Sequence, residues 1–577
     1  MKLFRFVNMI VKNFFDKSCL RLPLLVLFFF QQNIGSGQHI TPIDGEAINY
    51  KQIMFEVPKQ QGANGYKFYF SSCDIRAEKC TLIYIHSSKF RATMLSQPFN
   101  FGKTYRWYYE ALKGKNVLYT SKEFILNISK SELVDTLVQK VVFTKLSKKK
   151  EKGILIVDGL KLVLDMQGKP LLFLNYKYDH AIRDINLTNE GTLTLVDNRF
   201  GEVKECKLNG EMIWVGPTKL EESVGRSDKF HHEFEKLSNG NYLAAGKRKV
   251  TDFDETAGLI GVPDNTLCET IVEFDADRNE VWRFDLLPEL KRQYNISPSI
   301  DLFNPTRLGH LNGMAVDEKK HLIYASFKTF NTVMKIDMGS NQILYQYGLK
   351  KINFLDSIET GLAFEQQHAP RFNAKGNLLI FNNGNAETGS GICELRVGDE
   401  VDSSNEVLKS FYFKEVLMKD YFSPQMGSVQ AMGKSNYLIC MGTVPHFFEF
   451  NAKSKKLLWQ AYTFQNVRWE EGGKIWKPLP SYRINYYSSL YPYYFVADKL
   501  IEQKGELSTI ELANCGTEND VYQLCASLSN EKAINTMKVI LEFDCKSGKK
   551  IKVKYDAKSF SHGVILRSKM SKKELHF

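Results

Sequence analysis

Three histidines stand at one place in a recurring stretch of the chain. "HHEFEKLSNGNYLAAGKRK" begins at His231, "HLNGMAVDEKKHLIYASFK" at His310 and "HAPRFNAKGNLLIFNNGN" at His368, and each runs from histidine through a turn into an apolar segment. His232, His368 and Gly427 each lie nine residues before an asparagine, at Asn241, Asn377 and Asn436. The stretch from His310 fits the same alignment with a turn two residues longer. A lone turn histidine would be read as structural, but three in one register among only 11 in the chain point to a shared pocket. Neutral imidazole is a nucleophile and a proton carrier near neutral pH. Carrying the alignment to the end of each second strand brings Arg248, Lys328, Gly384 and Thr443 to one level, and Asn312 adds an amide two residues after His310. Imidazoles beside two cations, a hydroxyl and an amide, with no carboxylate in matching positions, suit an anion better than a divalent metal, so no metal or other cofactor is expected.

The elements that position these residues read as short strands. Each copy continues into a third strand ("TIVEFDAD", "TVMKIDMG", "FFEFNAKS") and a fourth with an aromatic ("NGEMIWVG", "RNEVWRF", "NQILYQYG", "KKLLWQAY"). "DINLTNEGTLTLVD" near residue 184 is a fifth, weaker copy, and units start near residues 183, 232, 310, 368 and 427, at intervals of 49, 78, 58 and 59. Four antiparallel strands per unit describe a propeller blade. A sixth blade can be assembled from the strands near residues 153 and 486, joining the two ends of the array; seven blades is the fallback. The fold expected is therefore all-β, a six-bladed β-propeller over 150–498 flanked by β-sandwich-like domains at 38–135 and 499–577, since both flanks alternate apolar and polar residues in short runs.

Residues 1–37 carry basic residues, an apolar core from Leu22 to Phe30 and a small-residue end at Gly35 to Gly37. This is the pattern of a secretory signal peptide, so a periplasmic or secreted protein is expected. Membrane attachment follows only if that segment stays uncleaved. Its removal takes five basic side chains and one acidic one, lowering the net charge from +12 to +8. That charge is mild and scattered, and the one lysine-rich run, "KLSKKKEKG", reads as a solvated linker, so no nucleic-acid partner is expected. Nine cysteines remain, none spaced as CxxC, and the local pairs Cys73 with Cys80 and Cys515 with Cys525 are the disulfides to look for.

The order and register of "HHEF...NGN", "HLN" followed by "DEKKHLIYAS", "QHAP...GNLLIFNNG" and "YRINYYSSLYP" resemble the bacterial arylsulfate sulfotransferases, which take an aryl sulfate rather than a nucleotide donor. The resemblance covers roughly residues 150 to 495, and the domain before them also looks like the family's N-terminal one. It implies ping-pong transfer from an aryl sulfate donor to a phenolic acceptor, with a histidine at the position of His368 taking the sulfuryl group. It implies that His310 and His232 bind sulfate oxygens and assist proton transfer. The family has arginine where this chain has Lys328, and lysine cannot form the bidentate guanidinium fork. Asn312, Thr443 and Arg248 complete the expected substrate contacts.

Two other functions fit a propeller, a metal-dependent hydrolase of the lactonase or strictosidine-synthase-like type and a secreted non-catalytic binding protein. A homodimer is compatible with all three readings. His231 could stand in for His232, and Arg483 is balanced between site and scaffold. His86, His180, His321, His446, His562 and His576 are read as structural.

Overall fold

The computed structural model describes residues 40–74, 79–136, 138–147, 152–176, 181–217, 228–249, 267–289, 307–348, 364–398, 407–417, 421–468, 474–500, 507–527, 537–556 and 563–577. The segment expected to be a signal peptide, together with His180 and His562, lies outside them. Among the described residues no helix is long and apolar enough to cross a membrane.

Alternation shapes the first sheet. Lys103–Lys113 buries Tyr105, Trp107, Tyr109 and Ala111, every second residue, and turns the others outward, as a pleat with one covered face requires. It sits in a six-stranded sheet between Gly65–Asp74 and Phe124–Ile128. Ile53–Glu56 and Ala92–Leu95 pair separately, and the Phe55 ring meets Phe70 and Trp107 at centroid distances of 4.9 and 5.1 Å. Cys73 and Cys80 form a disulfide between Gly65–Asp74 and Lys79–Ser88. Cys515 and Cys525 do not; both are free thiols.

The three histidine units are antiparallel meanders. One runs through Lys229–Lys236, Tyr242–Lys249, Leu267–Phe274 and Glu280–Asp285, the next through Leu311–Asp317, Leu322–Phe327, Thr332–Asp337 and Gln342–Tyr347, and the third through His368–Phe372, Leu378–Asn382, Gly391–Leu395 and Val407–Tyr412. Second strands such as Leu322–Phe327 and Leu378–Asn382 are buried at every position. Neighbouring sheets cover both their faces: Leu243, Ile271, Ile323 and Met334 share one core, and Tyr324, Val333, Leu378 and Ile380 another. That is why these strands read as unbroken apolar runs.

The asparagines that defined the repeat act as clamps. Asn241, Asn377 and Asn436 each give a side-chain N–H to a carboxylate on the third strand of their own sheet, Glu273 at 2.6 Å, Glu394 at 2.9 Å and Glu449 at 2.7 Å. In the last case the other carboxylate oxygen accepts from the Trp459 indole at 2.6 Å, tying the fourth-strand aromatic to the same point.

The expected six-bladed propeller with sandwich-like flanks requires correction. The described residues form an all-β architecture of separate, mainly antiparallel sheets, most of four to six strands, and among them no sheet closes into a barrel or propeller. Strands outside the repeat break its uniformity. Arg307–Leu308 adds in parallel to Leu267–Phe274, while Lys474–Pro478 and Gln139–Lys145 both pair with Lys456–Arg468 and enlarge that sheet to six strands. Turn-and-strand spacing reports each local meander; it does not report which distant strands complete the sheets. Ile484–Tyr487, for instance, pairs antiparallel with Ile154–Val157. The C-terminal residues form a three-stranded sheet, Phe495–Leu500, Leu507–Asn514 and Lys550–Asp556, and a four-stranded one built on Asp520–Ser527.

Candidate active site

The first strand of each histidine unit breaks register at its histidine. Pairing shifts between Phe230 and Phe234, between Leu311 and Gly313, and between His368 and Arg371, the mark of a bulge. His232 (φ 61°) and His310 (φ 54°) are left-handed, and Ala369 (φ 52°) takes that conformation beside His368. For a non-glycine residue this costs roughly 1 to 2 kcal/mol. The return is that a side chain leaves the strand's alternation and is aimed where the sheets meet.

His368 is 3% exposed and held on both nitrogens. Nδ1 lies 2.6 Å from Asn383 Oδ1 and 2.9 Å from the Gln366 carbonyl. The Asn383 amide itself donates to the carbonyls of Ser423 (2.7 Å) and Met426 (2.9 Å), so only its oxygen is left to face the imidazole. Both groups at Nδ1 are acceptors, which places the proton there and the lone pair on Nε2. Nε2 accepts a 3.2 Å hydrogen bond from the Met426 N–H. Burial above all, opposed by the Asn383 contact and reinforced by charge on His310 and Lys328, lowers its pKa from 6.5 to about 3. The imidazole is therefore neutral.

His310 and His232 face each other at a ring-centroid distance of 5.6 Å, and the Tyr482 ring lies 5.5 Å from His232. His231 and His232 are both buried and joined, Nδ1 to Nδ1, at 2.6 Å. On its far side His231 Nε2 stands 2.9 Å from a carboxylate oxygen of Glu269.

The remaining residues named from the sequence divide. Lys328 is buried in a single helical turn, Lys328–Phe330, whose first N–H bonds the His310 carbonyl at 3.1 Å. It shares the neighbourhood of His310 and His368. Thr443 is half-buried with its hydroxyl 2.9 Å from that of Ser423, in the segment that leads to Met426. Asn312 is fully buried and gives its amide to the Gln367 carbonyl at 2.7 Å, which anchors the residue before His368. Arg248 is paired with Asp285 at 2.5 Å, a carboxylate outside the aligned positions.

Beneath the histidines lies a buried ion network that the repeat pattern does not announce. Arg483, 1% exposed, reaches Asp184 at 2.6 Å and both carboxylate oxygens of Glu233. Those carboxylates also stitch the first strands together: Asp184 accepts from the Phe234 N–H and Glu233 from the Met314 N–H, each at 2.9 Å. Asp158 accepts from the N–H groups of Tyr482 (2.9 Å) and Arg483 (2.8 Å), and burial raises its pKa to about 7. The Tyr482 hydroxyl bonds the Asn312 carbonyl at 2.7 Å. Arg483 is thus scaffold, under the site. Arg183, absent from the sequence-based set, places its guanidinium 5.3 Å from the Tyr482 ring centroid. A cavity of about 230 Å³ is lined by Arg183, Tyr482, Met426 and Lys161, among others. Among the described residues no three His, Cys, Asp or Glu side chains gather as a metal site.

No curated protein matches the chain. Among solved structures it is similar to a Bacteroides caccae protein of unknown function, at 12% identity over 54% of this chain and 93% of that one with a TM-score of 0.35. It is also similar to a streptogramin B lyase, at 12% identity over 61% and 98% with a TM-score of 0.32. A third likeness is to virginiamycin B lyase from Staphylococcus aureus, at 8% identity over 59% and 89% with a TM-score of 0.29. Scores this low carry no argument about fold or activity. The model of the arylsulfotransferase (ASST) family, in contrast, matches residues 144–475, more than half of the chain and the span that holds all three histidine units. A match of that extent sets aside both the non-catalytic binding module and the metal-dependent hydrolase. The chain belongs to the arylsulfotransferase family and is a transferase acting on small-molecule sulfate donors and acceptors.

Proposed function

We propose that the chain moves a sulfuryl group from an aryl sulfate to a phenol in two half-reactions, with His368 carrying the group between them. In the first, His368 Nε2 attacks sulfur and an N–S bond forms as the bond from sulfur to the aryl oxygen breaks. The oxygen leaves with the bonding pair and takes a proton from an imidazole donor. In the second, an acceptor phenol returns a proton to that imidazole, its oxygen attacks sulfur, and the N–S pair goes back to Nε2. Splitting the transfer lets one pocket serve donor and acceptor in turn.

The observation that carries this reading is the fixed tautomer of His368. With Nδ1–H held by Asn383 and Gln366, the lone pair belongs to Nε2, and those two oxygens would stabilise the positive ring once sulfur is attached. The 3.2 Å contact from Met426 N–H is long enough to be exchanged as sulfur arrives. Lys328 and His310 supply charge where the sulfuryl oxygens would lie, in a site from which water is largely excluded.

Mixing the enzyme with 4-nitrophenyl sulfate alone should release about one nitrophenol per active site in a burst. Continued release should then depend on added phenol. Steady release indifferent to phenol would mean hydrolysis and would overturn the proposal. Within the same assay, Lys328→Ala should slow transfer by about 2 to 4 kcal/mol in barrier, the range for one lost contact to charge developing in the transition state. Lys328→Arg should retain or improve it. Full activity of Lys328→Ala would remove this side chain from the site.

A further inference from the structure

We infer that Glu269 and His231 form a buried proton relay that makes His232 the acid and base acting on the phenolic oxygen; the inference rests on the transfer through His368 proposed above. Glu269 is 1% exposed and His231 2% exposed. They come from different strands of one sheet, Leu267–Phe274 and Lys229–Lys236. The carboxylate stands 2.9 Å from His231 Nε2, and His231 Nδ1 stands 2.6 Å from His232 Nδ1. His231 therefore has an anion close to one nitrogen and a second imidazole at the other.

Two ring nitrogens at 2.6 Å share one proton, because two lone pairs or two N–H groups so close would repel. The Glu269 carboxylate favours the doubly protonated form of His231, so the shared proton rests on His231 Nδ1. His232 is then neutral, accepts that proton's hydrogen bond at Nδ1, and carries its own proton on Nε2. The His232 ring shares the pocket with His310 and Tyr482.

The relay balances. As the aryl oxygen leaves sulfur, His232 Nε2 gives it a proton, His232 Nδ1 takes the shared proton, and His231 becomes neutral with its remaining proton on Nε2 toward Glu269. In the second half-reaction the acceptor phenol loses its proton to His232 Nε2, and the shared proton returns to His231 Nδ1. One proton moves each way, and Glu269 stays ionised throughout. His232 is thus a catalytic residue, while His231 and Glu269 are positioning residues that act through it.

Leaving-group chemistry separates this role from a structural one. The phenol released from phenyl sulfate has a pKa of about 10, like tyrosine, and its departure depends on the acid. Nitrophenolate leaves without help. In Glu269→Gln and His231→Gln the burst from phenyl sulfate should slow by about 100-fold or more, the usual scale of general acid catalysis, while the burst from 4-nitrophenyl sulfate stays within a few-fold. The amplitude of the latter counts folded sites in each preparation. Equal slowing with both donors, or slowing with neither, overturns the relay and leaves the transfer reading standing. Where His231→Gln yields no folded protein, Glu269→Asp decides: it keeps the carboxylate and should recover phenyl sulfate turnover relative to Glu269→Gln, and identical rates for the two would overturn the relay. Absence of any burst in the wild type would instead remove the transfer reading and the relay with it.

Discussion

His368→Asn loses both the burst and the sulfuryl label. The expectation is a complete loss, because asparagine offers no lone pair of comparable nucleophilicity and the N–S intermediate cannot form. In the wild type, aryl sulfate without acceptor should leave an acid-labile sulfuryl group on the peptide containing His368, and adding a phenol should discharge it. His310→Asn and His232→Asn should slow the chemistry and keep some label. The pH dependence has a definite sign. Burial and nearby cations lower the His368 pKa from 6.5 to about 3, so nucleophile protonation puts no acid limb near pH 6.5 on the burst rate. An unfolded chain binds a proton at this position between those two values and the folded one does not. The stability linked to His368 is present in full above about pH 6.5 and is lost as pH falls toward about 3. Transfer at the original rate by His368→Asn, or a label on the His232 or His310 peptide, would refute the assignment.

Arg483→Ala should destabilise the fold by about 3 to 5 kcal/mol, the range for breaking a buried ion pair from one side. It leaves the carboxyl groups of Asp184 and Glu233, fully or nearly buried, without their cation. Both carboxylates also hold backbone N–H groups of neighbouring first strands, so disturbance spreads to the floor of the site. Arg483→Lys should rescue little, since an ammonium cannot reach Asp184 and bridge both oxygens of Glu233 at once. Denaturant titration measures the effect. A midpoint shift corresponding to less than about 1 kcal/mol would mean that the network is hydrated and weak.

What was legible in the sequence was the register of His232, His310 and His368. It was legible because one turn and one apolar strand follow each of them and the three copies share that grammar. What lay beyond reach were contacts between distant segments. The network joining Asp158, Asp184, Glu233 and Arg483 draws on residues separated by up to 325 positions, and no repeat relates them. Asn383 is one residue before the aligned Gly384, yet only the fold shows that its amide is pinned by Ser423 and Met426. Arg248 sits at the projected level, but the alignment could not foresee Asp285 as its partner. The bulges carried no signal either, because a left-handed histidine looks like any other in a string of letters. The closed propeller failed for a related reason: a repeat specifies its own strands, not the added ones that make the sheets unequal.

The asparagine–glutamate clamps bear on how such an enzyme changes its substrates. Asn241, Asn377 and Asn436 fasten the turns between first and second strands. The histidines begin the first strands, and Lys328, Asn383 and Thr443 follow the second ones, so the site lies at the opposite strand ends. The units start at uneven intervals of 49, 78, 58 and 59 residues, so the chain between their strands varies in length. Inheritance is thereby divided. In those three sheets the turn end is fastened by the clamp, and the site end is where loops can vary, so a lineage can alter acceptor choice without refashioning the framework that holds the histidines.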